Sequence, residues 1–345
     1  MSQKKQNGQF YTTNATYILS GMPSPPSDIA TVIEPFAGKG DLVDWVRATN
    51  FKGSLTAYDI DPKRNDIICR DTLLNPPDYT GAWIITNPPY LARNKSADKT
   101  IYDLYESNDL YKCFLATISG CRGGIVIIPA GFFFSPREMD VRCRNEFMTN
   151  YRITMVKYFE ETVFSDTTTT VVAIAFETSF TKMTEQSVVW RTSPSNQEKV
   201  YTMTVADDWI IGGDIYRLPI DDTVRVRRFV VGQPLNENEQ QTYMTLNALD
   251  SGKHDGRISL TYKKDYLYPA KDCSRTYATL RISGRTLSES EQIRICELFN
   301  QLLEEKREAT WSLFLPQFRE SKEYARKRIP FELAYTIVRH LVQQL

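Results

Sequence analysis

Histidine is almost missing from this chain, with His254 and His340 as its only copies. Catalytic triads built on imidazole, and metal centres built from clustered histidines, are therefore not expected. Cysteine offers no substitute. The six residues, at 69, 113, 121, 143, 273 and 296, contain no CxxC and no pairing rhythm. They read as reduced thiols of a cytoplasmic protein, with no metal site. No apolar run approaches the roughly 20 residues needed to cross a bilayer. The N-terminus, MSQKKQNGQF, has charges but no apolar stretch behind them, so it does not read as a secretion signal. Lysine plus arginine and aspartate plus glutamate both number 42, a formal charge of zero. That balance argues against indiscriminate nucleic-acid binding and leaves room for a local basic surface.

What is present is an ordinary globular composition: 345 residues, 41% hydrophobic and 24% charged, enough for one large domain or two medium ones. Short β-rich runs fall at 31–37, 54–60, 82–88, 124–130, 152–159 and 169–176. Helical stretches such as 41–50 and 108–119 lie between them. Near-continuous apolar strands alternating with helices indicate an α/β fold with a mostly parallel sheet covered on both faces. The last two runs lie close together and are expected to end the sheet with an antiparallel strand. From about residue 180 the rhythm stops. Polar segments punctuated by Gly212-Gly213, Pro219 and Pro234 follow, then two helical patterns at 289–308 and 330–345. The expected division is a catalytic domain over 1–180 and a second, mixed α/β domain over 181–345.

Three segments carry chemistry. Glu34-Pro35-Phe36-Ala37-Gly38-Lys39-Gly40 follows a β-rich run and precedes a helix, where glycines permit a tight turn and close approach of a ligand to backbone amides. Asp59 and Asp61 lie about twenty positions further on, a placement suited to a carboxylate that binds a ribose diol. Asp71 follows the next short segment and could bind an adenine amino group. The decisive segment is Ile84-Ile85-Thr86-Asn87-Pro88-Pro89-Tyr90. Two prolines after an apolar strand fix the backbone and leave no N–H there. The Asn87 amide and the Pro88 carbonyl offer two acceptors for the two hydrogens of an –NH2 group. Tyr90 supplies a flat face for an extruded base.

In these residues the chain resembles the N6-adenine DNA methyltransferases of the amino-methylating family. Asn87-Pro88-Pro89-Tyr90 matches their catalytic tetrapeptide, and Glu34 to Gly40, including Phe36, Gly38 and Gly40, matches their turn for S-adenosylmethionine (AdoMet). Asp59 falls where the family's ribose-binding acid lies, and Asp71 where its adenine-binding acid lies. Gly8-Gln9-Phe10-Tyr11-Thr12-Thr13 resembles the segment that holds the methionine end of AdoMet through Tyr11 and Thr12. Proline usually follows that threonine; here it is Thr13. Thr162-Val163-Phe164 resembles the segment whose aromatic residue, here Phe164, holds the flipped base opposite Tyr90. The matches occur in order over the first half of the chain, the γ arrangement of the family.

The resemblance implies a Rossmann-like, mostly parallel seven-stranded sheet and AdoMet as cofactor. It also implies double-stranded DNA as partner, within a restriction-modification or orphan modification system. A cognate restriction endonuclease would act separately, and one chain with all the parts is expected to be a monomer. C5-cytosine methylation needs a cysteine nucleophile, usually after proline, and no cysteine here follows one. N4-cytosine enzymes more often carry serine in place of Asn87. Protein-glutamine and ribosomal-RNA adenine methyltransferases share the tetrapeptide chemistry, but the long stretch after the last motif favours a DNA target-recognition half. An intact tetrapeptide with the cofactor turn counts against an inactive DNA-binding module.

Between residues 251 and 285 eight lysines and arginines face three aspartates, with Tyr262, Tyr266, Tyr268 and Tyr277 interleaved. Such a stretch suits phosphate contacts with stacking or base-edge contacts between them. Lys263 and Lys264 are the expected phosphate contacts, and Arg281 and Arg285 the candidates for a base edge. Arg225, Arg227, Arg228 and the run Arg326-Lys327-Arg328 are weaker candidates, and the late helices are expected to be core.

Overall fold

The computed structural model describes residues 12–164, 169–250, 257–318 and 326–345. Tyr11 and residues 251–256 lie outside them. The chain divides into two compact units, one through Phe132 together with Pro136–Trp209, the other Phe133–Ser135 with Ile210–Leu345.

The first unit is built on one large sheet. Strands β1 (Thr31–Glu34), β2 (Ser54–Asp59), β3 (Ile68–Cys69), β4 (Trp83–Thr86) and β5 (Gly123–Pro129) run parallel to one another. β4 is buried at every position and β5 at all but its last, which is why both read as continuous apolar runs. β6 (Tyr151–Phe159) and β7 (Val171–Thr178) are antiparallel to each other, and β7 is antiparallel to β5. Two more strands, β8 (Glu185–Ser193) and β9 (Glu198–Thr204), complete the order β3-β2-β1-β4-β5-β7-β6-β8-β9.

Two expectations are corrected here. The sheet has nine strands, not seven, and the antiparallel strand β7 lies inside it, between β5 and β6, rather than at its end. The reason is the short connection from β6 to β7, which brings β7 back alongside β5 and leaves the far edge of β6 open. β8 takes that edge in parallel and β9 folds back on β8. Residue 180 therefore lies within this unit, not at a boundary.

Helices α1 (Ala15–Ile18), α2 (Asp41–Ala48), α3 (Thr100–Leu104), α4 (Leu110–Leu115) and α5 (Glu138–Asn150) belong to the same unit. α2 buries Leu42, Val43 and Val46, the 3–4 spacing of one helical face.

The second unit carries an antiparallel sheet of β10 (Arg225–Arg228), β11 (Glu239–Asn247), β12 (Ser259–Tyr262) and β13 (Tyr277–Ser283), in the order β10-β13-β11-β12. Helices α6 (Glu289–Thr310) and α7 (Phe331–Val342) share a core with it. Ser288 and Glu291 close a capping box at the start of α6, satisfying two amides that the helix cannot. Ile295, Phe299 and Leu303 of α6 and Leu333, Ile337 and Leu341 of α7 are buried with Leu246, Leu260, Leu280 and Ile282. The late helices are core elements, as their periodicity indicates.

All six cysteines are free thiols; Cys113, Cys121, Cys143 and Cys296 are buried, and Cys69 and Cys273 are exposed.

Candidate active site

β1 ends at Glu34, and the chain turns through Pro35–Gly40 into α2. Gly38 and Gly40 hold φ at +55° and +90°, a region that suits glycine. Asp59, the last residue of β2, ties this turn. Its Oδ2 accepts from the Gly38 amide (2.8 Å) and its Oδ1 from the Asp61 amide (2.8 Å). β1 lies between β2 and β4, where the strand order reverses direction. In open α/β sheets ligands bind beyond the carboxyl ends of the strands at such a reversal.

A cavity of about 280 Å³ opens at that place, at the lower end of small-ligand pockets. Thr12, Phe36, Gly38, Asp59, Asp71 and Asn87 line it, so residues spread over 76 positions of sequence converge on one wall. The Phe36 ring is braced edge-on by Phe114, with centroids 5.3 Å apart. Asp71 Oδ1 accepts from the amides of Leu73 and Leu74 (both 3.0 Å). The ionisable groups on the lining are Asp59, Asp71, Asp98, Arg70 and Tyr102. Arg70 spends its donors on the Asn75 (2.7 Å) and Pro76 (2.9 Å) carbonyls. The cavity is therefore acidic.

Asn87, 7% exposed, is held on both sides. Its Nδ2 donates to Thr12 Oγ1 (3.2 Å), and its Oδ1 accepts from the Tyr90 hydroxyl. That hydroxyl also faces the Ile127 carbonyl of β5 at 3.1 Å. Beneath this arrangement Glu34 is fully buried. Its Oε1 accepts from Thr86 Oγ1 (2.8 Å) and the Phe36 amide (3.0 Å), and its Oε2 has no partner among the described residues. Burial raises the Glu34 pKa well above the usual carboxyl range, and the neighbouring Asp59 charge adds to it, against the two hydrogen bonds.

The excursion from Leu91 to Leu110 forms the opposite wall, through Leu91, Ser96, Asp98, Ile101, Tyr102 and Leu110. It is pinned at its base. Asp109 Oδ1 accepts from the Leu91 amide (3.2 Å), Tyr102 donates to the Leu91 carbonyl (2.9 Å), and Ala92 bridges Asp109. Burial pushes the Asp109 carboxyl up to about 6, with Lys112 opposing. No motif marks this wall, because its lining residues mix apolar and polar types without a period. A Tyr-Asp-rich insertion directly after the tetrapeptide is the one signal of it in the sequence.

Several expected residues take other places. Glu34, Gly40, Pro88 and Tyr90 do not line the cavity, whereas Pro89 does. Gly40 caps α2 instead. Asp61 is exposed beside Lys63. Tyr90 and Phe164 are 7% and 2% exposed, so neither ring presents an open face. Lys263 and Lys264 are exposed, Lys263 over the Tyr266 ring (5.3 Å) and Lys264 beside Glu289 (3.3 Å).

Arg281 is corrected. It is 4% exposed and donates to Gln241 Oε1, the Pro234 carbonyl and the Gln233 carbonyl, each at 2.9 Å. Its guanidinium fork is consumed in holding the 233–241 loop on β13. Arg285 is half-buried and donates to the Val342 carbonyl (2.6 Å) and Glu291 (2.7 Å). Both guanidinium groups are engaged within the second unit. Arg227 pairs with Glu239, and Arg228 holds the Asp272 and Ser274 carbonyls.

No family model and no curated protein matches this chain. Among solved structures it is similar to the modification subunit of a candidate type I restriction enzyme from Vibrio vulnificus YJ016. The identity is 17% and the TM-score 0.42, over 56% of this chain and 49% of that one. It is also similar to the methyltransferase subunit of a type I restriction-modification system from Streptococcus thermophilus (14%, TM-score 0.40, 54% and 48%). A third is the type IIG restriction endonuclease BpuSI (14%, TM-score 0.41, 69% and 37%). The chain thus spans about half the length of these proteins or less. Likeness this distant assigns neither activity nor partner.

Proposed function

We propose that this chain is an AdoMet-dependent methyltransferase acting on the N6 amino group of an adenine flipped out of double-stranded DNA. The observation that carries the reading is the Asn87 amide, fixed by Thr12 on the wall of an acidic cavity at the sheet's reversal point.

The residues suit the cofactor. AdoMet is cationic at its sulfonium and ammonium, and the lining holds three aspartates against one arginine. The orphaned Glu34 Oε2 lies behind that lining, so a cation nearby would favour its ionised form. Asp59 suits the ribose hydroxyls, Asp71 an adenine amino group, Phe36 an apolar ring face, and Thr12 the methionine end. When bound there, AdoMet supplies an electrophilic methyl group.

The protein's part is to make a poor nucleophile competent. The adenine amino lone pair is delocalised into its ring. Asn87 Oδ1 and the Pro88 carbonyl, each accepting one amino hydrogen, favour the tetrahedral nitrogen from which the lone pair can attack. The contribution is positioning and electrostatics, with no covalent enzyme adduct. In the structure Oδ1 accepts from the Tyr90 hydroxyl. Entry of the base must exchange that bond for the amino group, freeing the Tyr90 ring to stack with Phe164 opposite. On the second unit the DNA surface is the exposed Lys263, Tyr266, Lys271, Arg275 and Tyr277, with Lys264 at its edge. A restriction-modification setting belongs to the same reading.

Asn87→Ala tests it. Methyl transfer to DNA, followed with radiolabelled AdoMet, should fall by about a thousandfold, while AdoMet affinity by calorimetry stays within about fivefold of wild type. Wild-type turnover in this variant would overturn the assignment.

A further inference from the structure

Thr12 reaches the cavity from a segment whose Ala15, Ile18, Leu19 and Met22 side chains are buried. α1 is four residues long and ends at Ile18, and its Tyr17 carbonyl accepts from the Ser20 amide at 3.3 Å. Two cations from other strands donate to carbonyls at and just beyond its end. Lys157 Nζ, on β6, donates to the Tyr17 carbonyl (2.7 Å) and the Ser20 carbonyl (3.0 Å). Arg191, on β8, donates to the Gly21 carbonyl (3.2 Å). The Lys157 ammonium also lies over the Tyr17 ring at 5.2 Å and the Phe159 ring at 5.5 Å. The Tyr17 hydroxyl reaches out to Glu161 and to Ser193 Oγ (2.9 Å).

The choice of lysine at 157 needs a reason. It is 7% exposed, has no carboxylate at ion-pair distance among the described residues, and is flanked on β6 and β7 by apolar neighbours. Burial, aided by the Arg191 charge, lowers its pKa, a sign of the cost of keeping an ammonium there. An apolar residue would complete β6 without that cost. What the lysine adds is two hydrogen bonds to the Tyr17 and Ser20 carbonyls, some 140 positions away in sequence.

We propose that Lys157, seconded by Arg191, is a positioning residue for the cofactor. It fastens residues 12–21 as a strap, so that Thr12 is held against both the cavity and the Asn87 amide. This rests on reading the cavity as the AdoMet site. It also gives β8 a task, since Arg191 and Ser193 both meet the strap.

The test uses the full chain. Lys157→Met keeps the side-chain length and removes the donors. The AdoMet KM and dissociation constant should rise about tenfold, with kcat at saturating cofactor within about threefold of wild type. Amides of residues 13–21 should exchange faster with solvent while those of β4 and β5 keep their protection. Lys157→Arg, which restores donors, should recover most of both. Should Lys157→Met fail to fold, Tyr17→Phe removes only a hydroxyl, a second attachment at a half-buried site, and about a threefold rise is expected. A folded Lys157→Met with unchanged AdoMet affinity and unchanged protection of 13–21 overturns the proposal. If the wild-type chain binds no AdoMet, the methyltransferase reading falls by itself. The strap is then decided by exchange alone, and unaltered protection of 13–21 in Lys157→Met overturns it.

Discussion

Burial sets the Glu34 carboxyl apart from an exposed glutamate. Its folded-state pKa is raised, chiefly by burial, above the ordinary value of about 4.3 that it regains on unfolding. A raised carboxyl contributes stability that is fully present below the unfolded pKa and is lost as pH rises through the folded one. Wild-type unfolding free energy should therefore decline from about pH 5 upward, and Glu34→Gln should flatten that decline. Denaturant titrations of both proteins across that range check it; parallel curves would mean Glu34 is not the group responsible. The identity of this residue was legible in the sequence, since it opens the glycine turn, but its orphaned oxygen was not. Arg281 shows the limit from the other side. A cation in a basic, tyrosine-laced stretch reads alike whether it faces phosphate or backbone carbonyls. Only the fold reveals that the 233–241 loop has claimed its donors.

At the scale of elements, the six apolar runs each became a strand, most plainly β4 and β5, which are buried along nearly their whole length and so must be apolar. β8 and β9 escaped notice for the converse reason. They extend one side of the sheet, their residues alternate between buried and exposed, and that pattern among charged residues resembles loop. The parallel pair β4–β5 sets a stricter demand, which a single methyl can test. Gly124 lies opposite Ile84, and a Cβ at 124 would come within 2.0 Å of the Ile84 carbonyl oxygen. No flexible side-chain end can yield there, only backbone. Gly124→Ala should destabilise the protein by about 2–4 kcal/mol, as overpacked strand interiors do. At Gly131 an added Cβ meets nothing within 4 Å, and alanine should be tolerated. Thermal melts of the two variants make the comparison, and equal melting temperatures would contradict the β4–β5 register.

For the molecule as a whole, a net charge of zero means that any grip on DNA must come from local surface. Neutralising Lys263 and Lys264 together should weaken binding to cognate and scrambled duplexes alike. It should also flatten the salt dependence, by a slope of about 0.9 for each phosphate the pair no longer neutralises. Titrations at several salt concentrations measure both; an unchanged slope would leave the pair as solvated surface. The thiols carry a practical consequence of how the chain is divided. Burial pushes Cys113 and Cys121 up to about 11, and Cys143 and Cys296 up to about 12. Near neutral pH these four are almost wholly unionised and shielded from reagents. The two exposed thiols fall one in each unit. Cys69 adjoins Arg70 and Asp71 of the cavity lining, and Cys273 sits between Lys271 and Arg275. The unmodified chain thus arrives with two addressable attachment points for a maleimide dye, one beside each surface assigned to a ligand. A fluorescent report from either half can be obtained without altering a single residue.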